Sequence, residues 1–110
     1  MNLAAALLLA ASAQPQLPPL GFLQATNDWD ACLNGQLEQA DSAARPEAVA
    51  DAALLACRRH LETSSSLYLG WVATARMSPG EKARLRRAVA VREPNMRVVL
   101  IQRIGRQRGH

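Results

Sequence analysis

Cysteine, histidine and carboxylate side chains are the groups in this chain able to do covalent, metal or acid–base chemistry, and their spacing limits each. Cys32 and Cys57 are the only cysteines, so one intramolecular pairing exists. They lack the Cys-x-x-Cys arrangement of a redox catalyst. Zinc would need further ligands close by, and His60 with the terminal His110 make a poor tetrahedral set. A structural disulfide is therefore expected, with free or intermolecular thiols and a metal site as the alternatives. Serine hydrolysis needs a base held beside the nucleophile, and His60, placed among Arg58, Arg59 and Glu62, reads as a solvated helix-end residue. Asp28 and Asp30 suit the first turn of a helix better than a pair of acids across a glycosidase cleft. Gly70, Gly80 and Gly105 match no phosphate-cradling loop, and metalloprotease and calcium-loop patterns are missing. These residue types predict a non-enzymatic protein with no cofactor and no metal.

Binding chemistry is better represented. Six acidic residues stand against Arg45 between Gln14 and Cys57, whereas ten basic residues stand against Glu81 and Glu93 from Arg76 onward. The acidic front and the basic tail either attract each other within one molecule or present the tail to an anionic partner. The candidate contacts to an anionic surface are Lys82, Arg84, Arg86, Arg87, Arg97, Arg103, Arg106 and Arg108. Mixed with Val98, Leu100, Ile101 and Ile104, they suit a membrane interface or a phosphate backbone. No aromatic residue is interleaved there to stack on single strands. Trp29 and Trp71 are candidate protein contacts. Core packing is the alternative for both, because aromatic residues make up only 4% of the chain.

The elements that must position these groups are helical. Residues 1–13 form a short apolar run ending in Ala11-Ser12-Ala13, a small-x-small site suited to signal peptidase. The run falls short of the roughly 20 residues a spanning helix needs, so cleavage after Ala13 and a mature start at Gln14 are expected. No Lys or Arg precedes it, which leaves a retained N-terminal helix as the alternative. Residues 14–25, rich in proline, read as an extended lead-in. A first helix is expected from Thr26 or Asn27, with Trp29, Cys32, Leu33, Gln36, Leu37 and Ala40 along its stripe. Gly35 in that stripe reads as a point of close approach.

Pro46 opens a second helix whose stripe is Val49, Ala50, Ala53, Leu54, Cys57 and Leu61. Packed antiparallel, the two stripes bring Cys32 to Cys57. A Ser-rich break follows between Glu62 and Ser66. Leu67–Ala75 then reads as helix, with a strand as the alternative for Leu67–Val72. Ser78, Pro79 and Glu81 form a capping box for a basic helix that ends before Pro94. Met96–Ile101 is β-branched enough to read as a strand or extended arm, and the glycine-bearing end as frayed.

The alanine-rich leader, Trp29-x-x-Cys32 and the segment Val49–Arg58 resemble small exported proteobacterial proteins of unassigned function that share a two-cysteine helical pattern. The resemblance covers the first half of the mature chain. It implies periplasmic residence and a Cys32–Cys57 bond, and supplies no catalytic residue. The expected architecture is all-α: a helical hairpin or three-to-four-helix bundle over residues 26–93, clasped by one disulfide. An extended basic arm over residues 94–110 follows it. The expected role is a periplasmic or secreted interaction module, binding a protein partner or a second copy of itself. Peripheral attachment to anionic surfaces is the alternative, and export argues against nucleic acid.

Overall fold

The computed structural model describes residues 17–109, and all regular structure among them is helical. Five helices follow one another: α1 (Leu20–Gln39), α2 (Pro46–Ala56), α3 (Arg58–Thr74), α4 (Pro79–Ala90) and α5 (Arg92–Arg108). Only Cys57 separates α2 from α3, with φ −103° and ψ 7°, and only Val91 separates α4 from α5, with φ −100° and ψ 5°. Each of these pairs is one bent leg. α1 lies antiparallel to the first leg, along which Cys32 meets Cys57, Thr26 meets Ser64 and Phe22 meets Tyr68. The second leg runs back along the first, with Lys82 at Ala73, Glu93 at Arg58, Arg97 at Asp51 and Arg108 at Asp41.

The all-α expectation holds, and so does the disulfide. Cys32 and Cys57 are bonded with their Cα atoms 5.8 Å apart. Around that bond lies the core: Trp29 and Leu33 of α1, Val49, Ala50, Ala53 and Leu54 of α2, Cys57, and Leu100 and Ile104 of α5. Alanines at Ala50 and Ala53 leave room for neighbouring helices to close on α2. Leu33, Leu100 and Val72 are fully buried, each stabilising the fold by about 1.5–3 kcal/mol relative to exposure.

Several expectations are corrected. α1 starts at Leu20, six residues before Thr26, because Pro18 and Pro19 restrict only what precedes them. Beyond Pro19 the buried series Ala25, Trp29, Leu33 continues upstream to the half-buried Phe22. Of the lead-in, only Leu17–Pro19 is described as non-helical. Asp28 and Asp30 consequently lie in mid-helix and exposed, Asp28 accepting from Gln24 Nε2 at 2.9 Å. A Cβ at Gly35 would meet nothing within 4 Å, so no neighbour approaches it closely.

The serines do not break α3. Ser64 is fully buried against the Thr26 hydroxyl, Ser65 accepts from Arg92, and Thr63 donates back to the Arg59 carbonyl. Bonded to Thr26 and Arg92, the Ser64 and Ser65 hydroxyls do not compete with the helical backbone. His60, in the first turn of α3, is half-buried. Leu67–Val72 is helix, not strand.

The largest correction concerns the basic arm, which is the helix α5 through Arg108. Met96, Leu100 and Ile104 recur every four residues, and their burial on α2 outweighs the β preference of Val98 and Val99. Pro94 falls in the first turn of α5, where a proline gives up no helical bond. Ser78 caps α4 by accepting from Glu81 N–H at 3.1 Å, but the Glu81 carboxylate pairs with Arg84, so the box is not reciprocal. Among the described residues no helix is long and apolar enough to cross a membrane. The expected signal peptide and its cleavage site, and His110, lie outside the described residues.

Candidate functional site

Beyond the disulfide, where α1, α3, α4 and α5 meet, Phe22, Tyr68 and Trp71 cluster, and Trp29 joins them to the core around the Cys32–Cys57 bond. Tyr68 of α3 stands between Phe22 of α1, ring centroids 4.9 Å apart, and Trp71 one turn further along α3, at 5.3 Å. Arg92, the first residue of α5, lays its guanidinium over two rings. Its central carbon is 5.7 Å from the centroid of Phe22 and 5.2 Å from that of Trp29. Trp29 and Phe22 reach Arg92 because they share a face of α1 seven residues apart. Arg92 reaches them because the bend at Val91 turns its side chain toward α1 and α3. Phe22, Tyr68 and Arg92, with Ala88 and Val89 of α4, line an open groove of about 210 Å³.

The electrostatics of this groove are one-sided. Arg92 is half-buried, and one N–H donates to Ser65 Oγ at 2.9 Å. Three other arginines pair with carboxylates: Arg58 with Glu93 at 3.1 Å, Arg97 with Asp51 at 2.7 Å, and Arg84 with Glu81. No carboxylate pairs with Arg92 among the described residues. Burial pushes its guanidinium down from the ordinary value, offset in part by Tyr68, although a guanidinium stays charged in a protein. The two aromatic faces supply cation–π attraction worth about 0.5–2 kcal/mol, and among the described residues Ser65 takes one of the five guanidinium donors. Beside it, Trp29 Nε1 is buried with no hydrogen-bond partner among the described residues.

The residues singled out from sequence fare differently. Cys32 and Cys57 are joined. Trp29 is 4% exposed, a core side chain with no face to offer a protein partner. Trp71 is half-buried at the aromatic end. Of the basic candidates, Arg97 and Arg103 lie along the surface and bond within the molecule, to Asp51 and to Asn34 Oδ1 at 2.7 Å. Arg108 donates to the carbonyls of Asp41, at 2.9 Å, and Ala44. Lys82 donates to the Ala73 carbonyl at 3.0 Å, and Arg84 pairs with Glu81.

Among the described residues one ion pair, Asp51 with Arg97, joins the acidic front to the basic tail. The Arg97 bond holds the Asp51 carboxyl below its ordinary value, and Asp51 in turn raises Arg97. Arg86, Arg87 and Arg106 remain exposed without a partner among the described residues. Sequence reasoning missed Phe22, Tyr68, Ser65, Ala88, Val89 and Arg92. Phe22 fell in a stretch read as extended, and Arg92 is one arginine among many. The available signal was the seven-residue step from Phe22 to Trp29, which continues the helical stripe upstream.

Among the described residues no three His, Cys, Asp or Glu gather to hold a metal ion. The chain matches no family model, no curated protein and no solved structure.

Proposed function

We propose that this is an exported, non-enzymatic binding module whose working surface is the aromatic groove at the junction of α1, α3, α4 and α5. The observation that carries the reading is Arg92. A partly buried cation with no counter-ion among the described residues, set in the wall of an apolar recess, is what a recognition site needs: desolvated surface for affinity and one polar group for orientation. The short apolar leader with its small-x-small end supports export, as does the resemblance to small exported proteobacterial proteins. A disulfide in a small domain fits an oxidising compartment.

The alternative, attachment to an anionic surface, retains Arg86, Arg87 and Arg106 as its contacts, since these point to solvent without partners. Backbone amide shifts of the isotope-labelled, oxidised protein, titrated with an extract of the host's extracytoplasmic fraction, separate the two. Perturbations centred on Phe22, Tyr68, Ala88, Val89 and Arg92 support the groove. Perturbations centred on Arg86, Arg87 and Arg106 support surface attachment, and a map with neither centre contradicts both.

A further inference from the structure

We infer that the groove takes a small carboxylate with an apolar body, the carboxylate on Arg92 and the hydrocarbon against Phe22, Tyr68, Ala88 and Val89. The inference rests on the binding-module reading and names the class of its ligand. Size comes first. About 210 Å³ lies below the roughly 300 Å³ at which sites for drug-sized ligands begin, so the group the groove holds is a short acyl or aryl one. Polarity comes next. Two aromatic and two aliphatic side chains form the walls, and Arg92 is the only charged residue among the five lining residues.

Charge decides the head group. Across helices Arg58 and Arg97 answer carboxylates, whereas Arg103 meets the neutral Asn34 oxygen and Arg92, in the groove wall, meets among the described residues only the neutral Ser65 hydroxyl and two ring faces. A guanidinium meets a carboxylate with two parallel N–H donors, and one cation neutralises one negative charge. A phosphate dianion would ask for a second cation, and none lines the groove. The rings of Phe22 and Trp29 hold the guanidinium in place, so little side-chain freedom remains to be lost when the anion arrives.

The test is calorimetric titration of the oxidised protein with butanoate, hexanoate and octanoate, with benzoate, and with hexanol and hexylamine as head-group controls. The expected series shows affinity rising about fourfold per methylene until the groove is filled. Hexanoate should bind about tenfold tighter than hexanol, and hexylamine should not bind. Arg92→Met keeps an unbranched apolar stem beneath the rings, and should erase the advantage of hexanoate over hexanol while hexanol still binds. Ala88→Trp, at an exposed position on the groove wall, should fill the groove and abolish both, with helical content unchanged.

Hexanol or hexylamine binding as tightly as hexanoate overturns the carboxylate assignment, as does hexanoate affinity unchanged in Arg92→Met. No binding by any probe also overturns it. In each of those cases a shift map still centred on the groove leaves the binding-module reading standing.

Discussion

Breaking the Cys32–Cys57 bond should cost a large share of the stability of this small domain. The bond closes a loop with a sequence separation of 25. Loop-closure entropy for that length corresponds to about 3.5 kcal/mol at 25 °C, a change of roughly 400-fold in the folded-to-unfolded ratio. Reduction isolates the cross-link well. Cys57 is fully buried and, as a thiol, remains a small apolar side chain filling the same space. With an m-value of about 1.5 kcal/mol/M for a domain of this size, the urea midpoint should fall by about 2 M. The assay is urea unfolding followed by helical circular dichroism, with and without reductant. A Cys32→Ala, Cys57→Ala double variant serves as the reductant-insensitive control and should unfold slightly earlier than the reduced protein, since it loses the buried sulfur. A midpoint shift below about 0.5 M would refute the reasoning, because the denatured chain would then gain little freedom when the bond opens.

Other consequences follow from single contacts. Ser64→Ala leaves the Thr26 hydroxyl without its partner and should cost about 1–2 kcal/mol, whereas Thr26→Val combined with Ser64→Ala should cost less than the two single changes added; a double-mutant cycle of thermal unfolding measures this. Gly35→Ala meets open space and should stabilise α1 by about 0.5–1 kcal/mol, read as a raised urea midpoint. Ser78→Ala removes the cap of α4 and should cost about 1 kcal/mol by the same measurement. Asp51 titrates below its ordinary 3.8 because Arg97 donates to it. The stability it contributes is therefore present above that value and lost as pH falls through the folded one. Asp51→Asn should flatten that part of the acid limb, and added salt should shrink the difference between the two proteins, because the pair is exposed.

How much of this could be read from sequence depended on where the stabilising contacts lie. The α1 and α2 stripes, with a cysteine on each, were legible because helical periodicity and one possible pairing point the same way. The start of α4 was legible because Ser78 and Pro79 are local signals. α5 was not, since Val98, Val99 and Ile101 favour strand locally and only the burial of Leu100 and Ile104 on α2 makes the segment helical. The Ser-rich stretch misled for a similar reason: Ser64 and Ser65 are satisfied by Thr26 and Arg92, residues distant in the chain. The groove was least legible of all. Phe22, Tyr68 and Arg92 come from three helices and are neighbours only once both bent legs have folded back. Nothing in local spacing separates Arg92 from the arginines that pair internally.

The most direct test of the account is the mass of the protein isolated from its own host without denaturation, wild type beside Arg92→Met. The account predicts a chain beginning at Gln14 that gains two hydrogens on reduction, with a small acidic non-covalent adduct present on the wild type and lost from Arg92→Met. Both proteins free of any adduct, or both holding the same one to the same extent, would contradict the claim that Arg92 and its aromatic neighbours form the site where this protein works.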